Sequence, residues 1–313
     1  MVMAVTQDGL NGFDEEFLAK WEPTSNREKC LARGVLYREQ KGLEIGALNF
    51  PTLPVGDVSY VDYASTEELK KRHRDHPKRV QRMVDVTYVW PGSGSLAAIV
   101  GDTDVFDFAI ACHVIEHVPN VLGWFRGIGE VLKPGGVFNL AIPDRRYTFD
   151  IRCPLSTMGE LVEADLLGYV RPSIRQMFDH TYYAKAIEPG AIWNIDVDVD
   201  ATPAFSGSPA PFLALQQAYE IRDNASYIDS HCWIFTPSSF LDLIDGACRL
   251  GLFTLVPDFL EPTSPGQFEF YFSAKKPPVE MPEEALRSLQ AEKISSIRNS
   301  LRKRDKELRL LIS

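Results

Sequence analysis

The 313-residue sequence contains no apolar run approaching the roughly 18 residues of a membrane span. Its opening residues, MVMAVTQDGLNG, have neither the basic start nor the apolar centre of a secretion signal, so a cytoplasmic location is the expectation. Cysteine is sparse. Cys30, Cys112, Cys153, Cys232 and Cys248 are odd in number and include no C-x-x-C pair, which excludes a disulfide framework and a zinc knuckle and predicts reduced thiols. Positive charge is also in deficit: the net charge is −10, which disfavours nucleic acid, whose binding depends on cations that neutralise phosphates. What is present is a hydrophobic content of 45%, enough for a packed core in one large domain or two small ones. A folded acidic enzyme acting on a small or neutral acceptor fits this balance.

The stretch from Val105 to Asp144 organises the chain. Two short apolar runs, Phe106 to Ala111 and Val137 to Ile142, have buried-strand length and are bounded by Asp, Gly or Pro. Between them Val121, Leu122, Phe125, Ile128, Val131 and Leu132 recur at three- and four-residue spacing, which predicts a helix with one buried face. Lys133-Pro134-Gly135-Gly136 is read as its end. Two apolar strands joined by a crossover helix run parallel, so this is a right-handed βαβ unit. Ligands of such sheets bind at the C-terminal ends of the strands.

Upstream, helices are predicted over Asp14 to Lys20 and Arg27 to Arg38, the second with a Ser25/Glu28 capping box; residues 1–40 read as a helical cover. Strands follow at Leu43 to Ile45, Val58 to Asp62 and Val84 to Trp90, with a charged surface helix over residues 65–82 that turns at Pro77. The alternation of strand and helix predicts a doubly wound α/β sheet. It stops at Arg145. Residues 145–235 mix helical pieces, Thr157 to Leu167 and Ala214 to Arg222, with a loop-like stretch at 195–211, and read as an acceptor-shaping insertion. A helix from Phe240 to Leu250 and an antiparallel strand pair, Phe253 to Leu260 with Phe268 to Ala274, then complete a seven-stranded, mostly parallel sheet. The central domain thus spans 41–275. The tail, 276–313, is a charged helix; Ile294, Ile297, Leu301, Leu308 and Leu311 fit a and d positions, leaving open a self-associating helix or one lying on its own domain.

Leu43-Glu44-Ile45-Gly46, Asp62 after the next strand, Asp107 to Pro119, and Leu132 to Pro143 together resemble the class I S-adenosylmethionine-dependent methyltransferases. The resemblance covers about Lys41 to Asp144 and returns in the closing strands, and it implies a Rossmann-like fold with S-adenosylmethionine as cofactor. By that resemblance Glu44 and Gly46 are the acid and glycine of the first strand's turn, where a residue without Cβ lets backbone N–H groups reach the ligand. Ala47 and Asn49 follow in the same turn, while Leu48 and Phe50 stand where the fuller E-x-G-x-G-x-G pattern has glycines. Asp62, with Tyr63 beside it, is implied to accept both ribose hydroxyls. Ser95 and Leu96 would border the adenine, and Cys112, His113 and His117 would line the methionine end.

Two other readings compete. His113-x-x-Glu116-His117 satisfies the H-x-x-E-H zinc pattern, but that needs one continuous helix, whereas an apolar strand runs into His113 and Pro119 opens a new segment. No metal is therefore expected. Gly92-Ser93-Gly94-Ser95-Leu96-Ala97 approximates a dinucleotide turn, but no acid ends a following strand about 20 residues on.

On the acceptor side, a hydroxyl needs a group to remove its proton, and the candidates are Asp144, His180 and His231. Trp193, Tyr182, Tyr183 and Trp233 are candidates to stack on a sugar or aromatic ring. The reading is a methyltransferase directed at oxygen on a glycan or small molecule, in polysaccharide or natural-product biosynthesis. The alternative is a non-catalytic S-adenosylmethionine-binding module that assembles through its C-terminal helix. A homo-oligomer or partner contact through that helix is possible on either reading.

Overall fold

A computed structural model of the chain describes residues 15–312 apart from 195 and 208. Chain order is α1 (Glu15–Lys20), α2 (Asn26–Leu31), β1 (Lys41–Ile45), β2 (Asp57–Asp62), α3 (Thr66–Arg72), α4 (Pro77–Gln81), β3 (Tyr88–Val89), α5 (Leu96–Val100), β4 (Phe106–Cys112), α6 (Val121–Val131), β5 (Leu132–Pro143), α7 (Met158–Leu166), α8 (Ile174–Tyr183), α9 (Ala210–Asn224), α10 (Pro237–Arg249), β6 (Val256–Glu261), β7 (Glu269–Lys275) and α11 (Glu283–Ile312). The strands form one sheet of order β3-β2-β1-β4-β5-β7-β6. β7 runs antiparallel to both β5 and β6; the pairs from β3 to β5 are parallel. This is the seven-stranded sheet with an antiparallel final hairpin that the sequence predicts. The chain leaves β1 towards β2 on one side and returns at β4 on the other, so the switch point, where such sheets bind ligands, lies above β1 and β4.

The strands are apolar because both faces are covered. On one face Phe125, Phe138, Phe240, Phe253, Phe270 and Phe272 join α6 and α10 to β5 and β7 in one fully buried cluster. On the other, Leu31 and Trp21 close over Phe108, Ile110 and Ala141. The side chain of Asn139, buried in β5, ties this N-terminal cover down by donating to the carbonyls of Leu31 and Arg33 at 2.8 and 3.0 Å.

Several boundaries differ from the expectation. The helix over 27–38 ends at Leu31, because Ala32 turns its N–H back to Cys30 and Glu28 and Gly34 takes a left-handed φ of 70° that reverses the chain. Residue 14, placed in the first helix, lies outside the described residues. The 65–82 helix is two, since Pro77 starts a second one at its first position. The third strand keeps only Tyr88–Val89 of the seven residues from Val84, being an edge held to β2 by isolated bonds such as Thr87 N–H to the Tyr60 carbonyl. Lys133 to Gly136 does not form a separate loop: it is a bulge within β5, where Leu132 pairs with Phe106 and Val137 with Phe108.

The tail lies on its own domain. Ile294 and Ile297 of α11 are buried in the main core, and the Gln290 amide, also buried, donates to the carbonyls of Phe253 and Leu255 at 2.8 and 2.9 Å. Arg298 bridges Asp242 and Asp245, and Arg304 pairs with Glu261. The a and d residues Ile294, Ile297 and Leu301 are thus used within the chain. Among the described residues, no helix is long and apolar enough to cross a membrane.

Candidate active site

A cavity of about 390 Å³ opens at the switch point, and its walls come from the tips of β1, β2, β3 and β4 together with the stretch before α10. Gly46, Asp62, Tyr63, His113 and His117 line it, with Arg72, His73, Trp90, Tyr227 and Asp229. At the end of β1, Gly46 adopts a φ of 74°, and a Cβ there would come within 2.7 Å of the Val114 side chain. Two constraints, backbone sign and space, therefore select glycine.

Behind the turn, Glu44 is buried; one carboxylate oxygen accepts the Thr52 N–H at 2.8 Å and the other has no partner among the described residues. Burial pushes its pKa up to about 7. At the tip of β2, Asp62 is 8% exposed, accepts the Tyr63 N–H at 2.7 Å through one oxygen, and has its pKa raised from its ordinary value by burial. A buried carboxylate half-satisfied by the protein and facing a cavity fits a ligand hydroxyl pair.

β4 ends at Cys112, and the chain then twists: His113 has a φ of 54°, and Ile115–His117 forms a single tight turn before Asn120 caps α6. His113 Nε2 lies 2.7 Å from Glu269 and its Nδ1 lies 3.5 Å from Glu116. Burial opposes charge on this ring, but hydrogen bonds to Glu116 and Glu269 outweigh it and raise its pKa to about 9. The cavity therefore carries a fixed imidazolium against two carboxylates on this side.

Beyond His117 lies a second group. Residues 229–235 are stitched beneath the turn: Cys232 N–H donates to the Glu116 carbonyl at 2.6 Å and the buried Trp233 indole N–H to the Val118 carbonyl at 2.6 Å. That brings His231 edge-on to His117, ring centroids 4.8 Å apart, with the His180 ring 5.3 Å from His231. His117 Nδ1 lies 3.0 Å from Asp229, and His231 Nδ1 lies 2.7 Å from Asp150. Burial, then the neighbouring His231, lowers the His180 pKa to about 4, so that ring is neutral near pH 7.

The other predicted residues fall around, not in, the cavity. Ala47 and Asn49 are buried beneath the β1 turn, and Leu96 is core. Cys112 sits behind the cavity against Thr52, 3.4 Å away. Ser95 caps α5 by accepting the Ala98 N–H and lines a neighbouring depression. Asp144 is fully buried, its carboxylate taken by Arg146 and by the Thr263 hydroxyl at 2.7 Å, so it anchors the end of β5 and does not reach the cavity. Trp233 is core and Trp193 stacks on Tyr147 at 4.2 Å. The sequence reading missed Arg72, Trp90, Tyr227, Asp150 and Glu269. Their only signal is placement, since each is an ordinary residue type and the site they share is formed by parts of the chain far apart in sequence.

The doubly wound sheet of this strand order, with a glycine turn at β1 and a carboxylate at β2 on the wall of a switch-point cavity, agrees with the S-adenosylmethionine-dependent methyltransferase class. Residues 38–194, just over half the chain, match the family model described as a methyltransferase domain, and the chain belongs to that family. Among solved structures it is similar to a possible histamine N-methyltransferase of Thermotoga maritima, with 14% identity over 80% of this chain and 88% of that one and a TM-score of 0.37. It is likewise similar to an S-adenosylmethionine-dependent methyltransferase of Mesorhizobium loti, with 14% identity over 77% and 92% and a TM-score of 0.38. A third is the 1,6-didemethyltoxoflavin-N1-methyltransferase of Burkholderia thailandensis, with 12% identity over 80% and 76% and a TM-score of 0.38. Among curated proteins none matches.

The protein is an enzyme of this class and its cofactor is S-adenosylmethionine. The residues present fit that cofactor: the half-satisfied Asp62 and the glycine turn, both on the cavity wall, suit its ribose and methionine ends.

Proposed function

We propose that the enzyme methylates a hydroxyl of a glycan or other small molecule, and that residues 145–235 shape the acceptor's place. The observation that supports this most is the position of His117, which lines the cofactor cavity and meets His231 at its far edge. When bound, the cofactor supplies a methyl group already activated on a sulfonium. The chain's work is then alignment and proton removal. Asp62, Gly46 and His113 hold and orient at one end; Phe149 and Phe205, stacked at 4.8 Å beside His231 and His180, offer an apolar wall to a sugar or ring. His180, held neutral by burial, is the group placed to take the hydroxyl proton, and His231, oriented by Asp150, lies beside it. Five unpaired cysteines support a reducing, cytoplasmic setting.

The test is transfer of labelled methyl from S-adenosylmethionine to a panel of free sugars, glycosides and phenols, with the product's linkage assigned by NMR. An O-methyl product, with turnover lost in His231→Ala and cofactor binding kept, is the expected result. A methyl placed only on nitrogen or carbon would overturn the reading.

A further inference from the structure

The His117–His231 group has a feature that proton transfer alone does not use. Glu116 is 1% exposed, and while one of its oxygens faces His113, the other has no hydrogen-bond partner among the described residues. A buried carboxylate oxygen left in this condition costs free energy unless a ligand meets it. One ligand atom each of Glu116, His117 and His231 lies within 4.8 Å of the other two. Both histidines have Nδ1 engaged by a carboxylate, Asp229 at 3.0 Å and Asp150 at 2.7 Å, which leaves Nε2 as the nitrogen without a hydrogen-bond partner among the described residues. A histidine with one nitrogen on a carboxylate and the other free is the arrangement that orients metal-binding imidazoles and raises their basicity.

We propose that Glu116, His117 and His231 bind one divalent first-row transition-metal ion, and that this ion holds the acceptor's oxygen beside the methyl group. Two imidazoles and one carboxylate suit such an ion better than magnesium or calcium, which take oxygen ligands, and three protein ligands leave positions open. Each of the three atoms would have to sit at roughly 2.0–2.2 Å from the ion, which their spacing within 4.8 Å of one another permits. Asp150, His180 and His231 also approach within the same limit, but His231 Nδ1 and Asp150 are already bonded to each other, so this second triangle serves as support. The expectation of no metal rested on His113-x-x-Glu116-His117 needing one helix. Here His113 turns away to Glu269, and the third ligand comes from 114 residues downstream of His117, where no local motif records it.

The inference rests on the O-methylation reading for its acceptor oxygen. In the reaction the oxygen, bound through a lone pair, loses its proton to His180; the new O–C bond forms as the C–S bond breaks, and sulfur keeps that electron pair.

The experiment titrates Co²⁺ into metal-stripped, full-length protein, following visible ligand-field absorption and bound cobalt by elemental analysis, with S-adenosylhomocysteine binding measured in parallel as a check of fold. One tight equivalent is expected. His117→Ala and His231→Ala should lose it, and Asp150→Asn and Asp229→Asn, gentler changes, should weaken it by about 10–100-fold. His76→Ala, a surface histidine at the start of α4, should leave it intact. No saturable equivalent, equal binding in both histidine variants, or full turnover by stripped protein in chelator would overturn the proposal. One equivalent bound as predicted, with no hydroxyl compound ever methylated, would instead sink the O-methylation reading and leave the metal site standing.

Discussion

Asp62 and Glu44 are both buried carboxylates at strand ends, yet their environments set different tasks. Asp62 faces the cavity with an oxygen to spare, so Asp62→Ala should weaken S-adenosylhomocysteine binding by about 1.5–3 kcal/mol in titration calorimetry, the range for a hydrogen bond to a charged group. Unchanged affinity would remove Asp62 from the site. Glu44 is enclosed, and its folded pKa of about 7 exceeds the ordinary value of 4.5. The folded state therefore holds a proton that the unfolded chain has lost between these values, and stability falls as pH rises through that window. Glu44→Gln keeps the acceptor for Thr52 N–H and removes the ionisation. The variant should gain on the parent from pH 4.5 to 7, by on the order of 3 kcal/mol at most, read from urea unfolding at several pH values. A constant difference across that range would contradict the burial argument.

Among elements, the stretch 229–235 between α9 and α10 puts Asp229 in the cavity wall and His231 against His117. Trp233 holds it through one indole hydrogen bond to the Val118 carbonyl in a fully buried setting. Trp233→Phe keeps the ring but strands that carbonyl, so a loss of about 1–3 kcal/mol in stability is expected, together with a fall in acceptor turnover at unchanged cofactor affinity. Equal loss of both activities would mean the segment acts on the whole domain.

The same segment marks where the sequence stops being legible. β1, β2, β4, α6 and β5 can be read because each is an apolar run or stripe bounded by Gly, Pro or Asp, and Ser25 announces its helix by a capping box. β3 was overextended because an edge strand and a β-rich loop share a composition. Gly46, Asp62, His113 and His117 were legible as strand-end residues; Asp150 was not, since its meaning depends on a histidine 81 positions away. Asp144 was misread for the complementary reason: a strand-end acid looks alike whether it faces a cavity or an arginine.

At the scale of the molecule, α11 acts as a strap across α10 and β6. Its Ile294 and Ile297 are buried, and Gln290 satisfies two carbonyls that would otherwise be orphaned. Truncation after Pro278 should therefore cost about 3–6 kcal/mol from the two isoleucines alone, seen as a lower urea midpoint. A truncated chain as stable as the full one would show that the strap is ornamental and its apolar face free for a partner.

The central claim is that the cavity over β1, β2 and β4 holds the adenosyl cofactor. Its most direct test is a crystal soaked with S-adenosylhomocysteine. The ribose is expected on Asp62 and the thioether sulfur between Gly46 and His113, facing His117. Density for the ligand elsewhere on the sheet, or none in crystals where the cavity is open, would contradict it.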